Sequence, residues 1–328
     1  MKKRCLVCLF PSHFALAARL GWITLRAVRN LLCRLALPVL LALSLSAFAG
    51  EDPADAPRDR FGIRMLFPTR PGGREWQAKW DNGRARTFIG IDPLDRWFDA
   101  DHGQGKYAVD GKGTLTATGP TVRMYVHDPA RKTEWGENLE ITVYFTRLSE
   151  TRLVSYSGLQ IFARTTHGTV GNETRNLCDD RGYGAKVTVD GRWEFEKEIT
   201  HGRDDGYAIT ASTRPWPELP KNVKIGVKYV LRNQGTNTQV KVELYRDLTG
   251  GANGGRWEKI TEFIDTGKNW GLGKTAPAPG VPPELPLIRS MVLPNSESKL
   301  PMLSVYLRHE YASMAYEKLS IREIEPLP

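Results

Sequence analysis

The chain has almost no cysteine with which to crosslink a fold. Only four of its 328 residues are cysteine, and Cys5, Cys8 and Cys33 lie within the first 49. Cys178 alone remains in the rest of the chain, which excludes an intramolecular disulfide there. A hydrophobic core must therefore hold the fold, and about 270 residues are enough for one large single-core domain. We expect Cys178 to be a half-buried free thiol, with an intermolecular link as the alternative.

The net positive charge is small outside the first 49 residues. The whole chain has 46 Lys and Arg against 37 Asp and Glu, a net charge of +9. Residues 1–49 hold seven of the basic residues and no acidic one, which leaves 39 against 37 and a net charge of +2. A near-neutral protein lacks the electrostatic footprint of a nucleic-acid binder, so we exclude a nucleic-acid partner.

Long apolar runs are absent except near the N-terminus, where Leu35–Ser46 precedes the small-residue site Ala47–Ala49. A basic region, an apolar run of this length and a small-x-small site predict a signal peptide over residues 1–49. We therefore expect a secreted or periplasmic protein that has no membrane partner after cleavage. A retained anchor is the alternative, although the run is short for a membrane span. A polar lead segment over 50–60 and a single domain over 61–328 follow.

Helical periodicity of convincing length is also missing from residues 50–328, and alternation with period two takes its place. Such alternation, interrupted by Gly, Asn and Asp, is typical of strands joined by turns. The alternating segments are Val122–Val126, Leu139–Phe145, Leu159–Ala163, Val223–Leu231, Val240–Leu244 and Val305–Leu307, with a further strand over Tyr316–Ile324. The sequence predicts an all-β fold, an antiparallel β-sandwich in one domain.

A turn at Asp190-Gly191 fixes the register of one predicted hairpin. A three-residue loop that ends in a left-handed Gly191 pairs Val187 with Trp193, so that both are apolar residues of the core. The same register places Lys186 opposite Glu194 on the other face, where we expect a weak, exposed ion pair.

The closing segments Ser304–Glu310 and Tyr316–Ile324, together with the many long strands, resemble the jelly rolls of the concanavalin A-like lectin/glucanase superfamily. The resemblance implies a jelly-roll sandwich and carbohydrate as the ligand class. That superfamily contains lectins, laminin-G-like modules, glucanases and polysaccharide lyases, so the fold alone does not determine the function. We expect an exported protein that binds a polysaccharide on its concave sheet.

One alternative is a retaining glycoside hydrolase. The run Glu194–Glu198 resembles the alternating acids of jelly-roll retaining glucanases, which implies Glu194 and Glu198 as nucleophile and acid/base. Glu196 stands where that family has Asp, and Lys197 stands where it has an aliphatic residue. Strand residues four positions apart lie about 13 Å apart at Cα, whereas retaining hydrolysis needs carboxyls about 5 Å apart. A solvated strand face is the competing interpretation.

A second alternative is a polysaccharide lyase that acts on uronate-containing glycans. Arg123, Tyr125 and His127 alternate on one strand face and supply a cation for the uronate carboxylate and a group that takes the ring proton. The neighbouring strand could add Gln160, Arg164 and His167. Phe162 stands where the alginate-lyase-type jelly rolls have His, and an ordinary polar face is the competing interpretation.

A face that binds a glycan without catalysing a reaction needs basic, acidic and tyrosyl groups that hydrogen-bond to the hydroxyls of a neutral or mildly acidic glycan. We expect one sheet face to carry Arg123, Tyr125, His127, Lys186, Glu194, Glu196, Glu198, Lys224, Lys228, Glu243, Tyr245 and Arg308. Trp216 and Trp270 lie in loop-like contexts, and among the tryptophans we expect these two to be exposed and to stack on sugar rings. For any single tryptophan, a place in the core is the competing interpretation.

None of these functions requires a cofactor, and no His/Cys cluster has zinc-like spacing. The acidic pairs Asp179–Asp180 and Asp204–Asp205 could hold a structural Ca²⁺ on loops. A structural or adhesion module without a glycan ligand is the third class of function. The sequence leaves the glycan, its linkage and the oligomeric state open.

Overall fold

The structure is a computed structural model that describes residues 56–100, 103–168, 181–199, 206–272, 282, 284–292 and 299–327. One compact unit begins at Pro57 and continues to Pro328. The predicted signal peptide, Cys178 and the acidic pairs at 179–180 and 204–205 lie outside the described residues, and the expectations for them stay predictions.

Regular structure in the described residues is almost entirely β, as the alternation predicts, and its one helical turn is the 3-10 turn Ala252–Gly254. Among these residues no helix is long and apolar enough to cross a membrane. The strands are β1 Glu75–Gln77, β2 Arg86–Phe88, β3 Gly90–Asp92, β4 Asp95–Ala100, β5 Lys106–Val109, β6 Thr114–His127, β7 Leu139–Glu150, β8 Gly158–Thr165, β9 Gly182–Thr188, β10 Trp193–Glu198, β11 Tyr207–Thr213, β12 Lys224–Gln234, β13 Gln239–Asp247, β14 Glu258–Asp265, β15 Met291–Val292, β16 Lys299–Leu300 and β17 Ser304–Glu323.

The strands form two layers that share their longest member, β17. Its first residues, Ser304–Arg308, pair with β8, whereas Ala312–Glu323 pair with β7. β6 follows β17 from one layer to the other along its opposite edge. Layer A has the order β11-β10-β9-β8-β17-β6-β4-β3, and layer B has the order β14-β13-β12-β7-β17-β6-β5-β2. The strand predicted separately over Tyr316–Ile324 is therefore the continuation of β17.

The core lies between the two layers. Phe195 of β10 has its ring centroid 6.2 Å from that of Tyr229 of β12, although these strands are far apart in the order of the sheet. Lys197 of β10 also points inward, and its Nζ lies 2.6 Å from Oδ2 of Asp265 on β14. Because side chains alternate along a strand, the residues between these inward positions lie on the outer face of layer A.

The predicted hairpin register is confirmed. Val187 pairs with Trp193 and Lys186 with Glu194, and Gly191 has a φ of 84°. A Cβ at Gly191 would lie 2.1 Å from the carbonyl oxygen of Trp216, so the turn needs glycine for space as well as for its backbone conformation. Trp193 is fully buried in the core, as the register predicts.

The segment that precedes β1 packs on the outer face of layer B. Leu66 N and Phe67 N donate to Oε2 of Glu140 at 3.1 and 3.2 Å. The guanidinium of Arg232 lies 3.8 Å over the Phe67 ring. Asp59, within the predicted polar lead, accepts a hydrogen bond from Ser320 Oγ at 3.2 Å. The end of the lead segment is therefore packed on the sandwich.

The Lys197–Asp265 pair makes the first prediction. Lys197→Met leaves the Asp265 carboxylate uncompensated in the core, and loss of one partner of a buried pair costs about 3–5 kcal/mol. We expect urea denaturation to show a free energy of unfolding lower by about that amount. The double variant K197M/D265N keeps an acceptor for Tyr183 Oη, which donates to Asp265, and should recover most of the loss. Equal stability of the single and double variants would contradict this role.

Candidate functional site

The outer face of layer A, called here the layer A face, brings together most of the predicted site residues. They come from β6, β8, β9, β10 and β17, at positions that alternate with core residues. They are Arg123, Tyr125, His127, Gln160, Lys186, Glu194, Glu196, Glu198 and Arg308. The pairing of Arg308 with Arg123 on one side and Gln160 on the other puts these three side chains in one row.

Arg308 is the centre of this face. Its Nε donates to Oε1 of Gln160 at 2.6 Å, and its Nη2 lies 3.7 Å from Oε1 of Glu196. Its guanidinium lies 5.0 Å from the ring centroid of Phe162. Burial opposes the charge, but the acids around it and Tyr306 hold the pKa of Arg308 above its ordinary value. The side chain keeps 20% of its surface exposed, so it can meet a ligand.

Aromatic rings extend the site from Arg308 towards β6. Tyr306 stacks on Phe162 at 5.0 Å and lies 5.1 Å from Tyr125, and His167 lies 4.7 Å from Tyr306, all between ring centroids. Tyr125 Oη and His167 Nδ1 are 2.7 Å apart and share a hydrogen bond. Sequence reasoning missed Tyr306, although its alternation with Val305 marks it as an outward residue.

A histidine–aspartate contact and an ion pair bound the β6 side of the face. His127 Nε2 lies 3.3 Å from Oδ2 of Asp99 on β4, and its Nδ1 lies 2.8 Å from the carbonyl oxygen of Asp128. Arg123 Nη2 lies 2.9 Å from Oε1 of Glu310. Asp99 and Glu310 were not among the predicted residues, because a sequence pattern does not show which acid faces which base.

The three glutamates of β10 do not act as one acidic row. Glu194 accepts from Arg192 Nη1 at 2.9 Å and from Ser212 Oγ at 3.2 Å. Glu196 pairs with Lys186. The predicted exposed Lys186–Glu194 ion pair is therefore wrong: Lys186 reaches diagonally to Glu196, and both side chains are buried. Glu194 is instead paired with Arg192 of the adjacent turn.

Arg164 does not lie on the layer A face, which corrects its prediction as a partner of Arg123. Its φ of 56° departs from strand geometry and interrupts the alternation that would aim it outward. Its Nη1 donates to the carbonyl oxygen of Leu287 at 2.7 Å, and its guanidinium lies 6.0 Å from the ring of the core residue Tyr183. Burial lowers the pKa of Arg164 to about 10.

Four other predicted residues lie on the opposite side of the sandwich. Lys224, Lys228, Glu243 and Tyr245 belong to β12 and β13 of layer B, where they alternate with core residues such as Val227. The prediction that they share one face with the β6 and β10 residues is wrong. Period-two alternation tells inward from outward but cannot tell which layer a strand belongs to.

The outer face of layer B is a structural charge network. Lys228 Nζ lies 2.6 Å from Oε1 of Glu140, and Arg322 Nη2 lies 2.9 Å from its Oε2, with all three side chains almost fully buried. Although burial opposes ionisation, these cations hold the pKa of Glu140 below its ordinary value. Lys224 pairs with Glu317 at 2.7 Å near the edge. These contacts anchor the segment before β1.

The two predicted sugar-stacking tryptophans pack into the protein. Trp270 is 3% exposed, and its Nε1 donates to the carbonyl oxygen of Ala208 at 2.9 Å. Trp216 is half-buried between Trp193, at 5.8 Å between centroids, and the guanidinium of Arg246, at 4.7 Å. The expectation that both are exposed is wrong, because loop-like sequence does not exclude packing against the core.

A metal site remains a prediction. Within the described ranges no group of three or more His, Cys, Asp or Glu residues could hold a metal ion. The acidic pairs predicted for Ca²⁺ lie outside those ranges.

No protein family matches the chain by sequence, and no curated protein does so either. Among solved structures, a Bacillus subtilis protein of unknown function with a galectin-like fold covers 78% of this chain and 100% of its own, with 10% identity and a TM-score of 0.41. The Ca²⁺/Man3GlcNAc-bound VIP36 exoplasmic/lumenal domain covers 77% and 92%, with 7% identity and a TM-score of 0.40. Lectin II from Ulex europaeus covers 74% and 98%, with 11% identity and a TM-score of 0.35.

Scores and identities at this level support no conclusion about a ligand or an activity, which must come from the residues of this chain.

Glu243 on layer B makes a prediction about pH. Burial alone would raise its pKa, but hydrogen bonds from Lys259, Arg232 and Tyr245 lower it from 4.5 to about 2. A carboxyl with a depressed pKa stabilises the fold above its unfolded pKa, and this contribution is lost as the pH falls towards the folded value. The advantage of the wild type over Glu243→Gln in free energy of unfolding should therefore shrink between pH 4.5 and about 2.

Denaturant titrations at several pH values measure this difference. Glu258→Gln is the matched control, because the Glu258 side chain is 63% exposed in its ion pair with Arg246 and should give a small difference at every pH. A wild-type advantage over E243Q that does not change over the acidic range would contradict the prediction.

Proposed function

We propose that this protein is an exported carbohydrate-binding domain that holds a polysaccharide on its layer A face. The arrangement around Arg308 carries the proposal. The guanidinium of Arg308 lies beside the amide of Gln160 and the carboxylate of Glu196 and over the buried ring of Phe162. Donors and acceptors placed this close together match the hydroxyls of a sugar.

The charge balance of the face favours a neutral or mildly acidic glycan. Its cations Arg123, Lys186 and Arg308 lie among the acids Glu194, Glu196, Glu198 and Glu310. Because the acids are at least as numerous as these cations, the face has no positive field that would attract a polyanion. Hydrogen-bond direction, rather than overall charge, would then select the ligand.

The accessible part of this face is its centre. The side chains of Arg308, Arg123 and Glu310 keep 20%, 14% and 15% of their surfaces exposed, whereas those of Lys186 and Glu196 keep 7% and 4%. A bound glycan would meet the arginines first. The buried Lys186–Glu196 pair would hold Arg308 in place from below.

The test replaces Arg308 by Met, which keeps the length of the side chain and removes its donors. Loss of a hydrogen bond between charged and neutral groups should weaken binding by about tenfold or more. Binding of purified residues 50–328 is measured by calorimetry against a panel of neutral and uronate-containing oligosaccharides. Lys224→Met, on the opposite side of the sandwich, is the matched control and should bind as the wild type does.

Unchanged affinity in R308M, with a melting temperature close to that of the wild type, would refute the layer A face as the binding site. Absence of binding to every oligosaccharide of the panel would favour the structural or adhesion module instead.

A second candidate, a polysaccharide lyase, is favoured by the 2.7 Å hydrogen bond between Tyr125 Oη and His167 Nδ1. As the tyrosyl proton passes to His167, Tyr125 would take the C5 proton of a uronate. The C5–H electron pair would form the C4=C5 double bond while the C4–O4 bond breaks. O4 would take a proton from water, and the hydroxide left behind would take the proton from His167. Arg123 and Arg308 would neutralise the carboxylate.

The lyase candidate predicts that the protein releases unsaturated uronate ends, which absorb in the ultraviolet, from at least one polyuronate. Tyr125→Phe should abolish the release, because it removes the group that exchanges the proton, and Tyr311→Phe is the control. No release from alginate, pectate or glucuronan, or release that persists in Y125F, would overturn the candidate.

The hydrolase alternative stays an untested prediction. Glu194 is engaged by Arg192 and Ser212, and it lies four positions from Glu198 along β10.

A further inference from the structure

The sandwich has a groove at its edge, where β4 of layer A meets β1, which pairs with the end of β17. Its volume is about 690 Å³, within the range of about 300–1,000 Å³ that is usual for small-molecule sites. The groove is lined by Arg60, Arg74, Glu75, Trp76, Gln77, Lys79, Asp95 and Trp97. The groove shares no residue with the cluster around Arg308.

Two tryptophans form the apolar part of the groove. Trp97 is half-buried and packs edge-on against Trp135 at 5.8 Å between centroids, and the guanidinium of Arg74 lies 5.6 Å from its ring. Trp76 stacks on Phe98 of the core at 6.3 Å, with 7° between the ring planes. Because both indoles are held by their neighbours, they lose little conformational freedom when a ligand stacks on them.

Asp95 supplies a hydrogen-bond acceptor that lacks a donor. Its Oδ1 accepts from Trp76 Nε1 at 3.4 Å and from Trp97 N at 3.3 Å, and it lies 3.9 Å from Lys79 Nζ. Its Oδ2 is buried and has no hydrogen-bond partner. Burial raises the pKa of Asp95, against smaller opposing effects of Lys79 and Trp76. A buried acceptor without a donor costs free energy, and a ligand hydroxyl that donates to it would recover that cost.

The cations of the groove already have partners. Arg60 Nη1 lies 3.0 Å from Oδ2 of Asp81, and Arg74 Nη1 lies 3.3 Å from Oε1 of Glu323. The aromatic walls would suit an amine, but Lys79 beside Asp95 and Arg74 beside Trp97 would repel it at the two groups that it would bind. A ligand with hydroxyl donors, an apolar face and no positive charge fits both the tryptophans and the carboxylate.

We propose that this groove is a second saccharide-binding site, in which a sugar ring stacks on Trp97 and donates a hydroxyl hydrogen bond to Asp95. It shares its ligand class with the proposed function but uses different residues. A chain with two sites could hold two parts of one polysaccharide, which raises the overall affinity beyond that of either site.

The test uses isosteric and conservative variants. Asp95→Asn keeps an oxygen that accepts from Trp76 and Trp97 but places an amide donor at the Oδ2 position, so it should weaken binding about tenfold or more. Trp97→Ala should have a similar effect, and Trp97→Phe should restore most of the affinity because it restores a stacking ring. Trp257→Ala, a half-buried tryptophan on layer B under Lys228, is the matched control.

Binding is measured by calorimetry with cellohexaose and hexagalacturonate as the neutral and acidic probes, and with a tetraalkylammonium ion as the cationic probe. Melting curves confirm that each variant folds. Weaker binding of a hexasaccharide to D95N and W97A, with W97F and W257A unchanged, supports the site, and the probe that responds identifies a neutral or an acidic sugar. Saccharide binding that is lost in R308M but normal in D95N and W97A refutes the groove as a saccharide-binding site. The layer A face would remain supported.

Loss in the groove variants with normal binding in R308M overturns the layer A face and supports the groove. Binding of the tetraalkylammonium ion in place of both hexasaccharides, or binding of no probe, overturns the saccharide assignment of the groove.

Discussion

The structure depends on β17, because this single strand supplies a backbone edge to both layers. Its first residues pair with β8 and its last residues with β7, while β6 follows it along the other edge. A strand that turns from one layer into the other must bend, and Tyr311, with a φ of 51°, lies where its partner changes. The two layers therefore cannot separate without breaking the backbone hydrogen bonds of β17.

The shared strand also fixes the two outer faces on opposite sides. Residues of β17 before the bend, such as Arg308, lie outward on layer A, and residues after it, such as Arg322, lie outward on layer B. Both faces carry buried charges that are paired, since an unpaired buried charge would be very costly. On layer B the pairs anchor the segment before β1, whereas on layer A the Arg308 side chain keeps part of its surface exposed.

Local patterns predicted local structure well. The register of the hairpin around Gly191 followed from turn geometry and from the need to pair Val187 with Trp193, and the structure has that register. The partner of Lys197 did not follow from this register, because Asp265 is 68 positions away on a strand of the other layer. Most of the predicted site residues lie on the layer A face, because the alternation of side chains along each strand is also a local property.

Alternation, turn residues and apolar runs in the sequence determined that the longest segments are strands, which of their side chains point inward in most cases, and that the protein is an all-β sandwich. These are properties of neighbouring residues, and period two expresses them directly. Only the tertiary structure decided that Lys228 and Glu243 lie opposite to Arg308, that Arg164 turns towards the core, and that Trp97 and Asp95 meet Trp76 at one edge. Those relations depend on which strands pair across long stretches of chain, and the pairing is set by burial of the whole core rather than by any single segment.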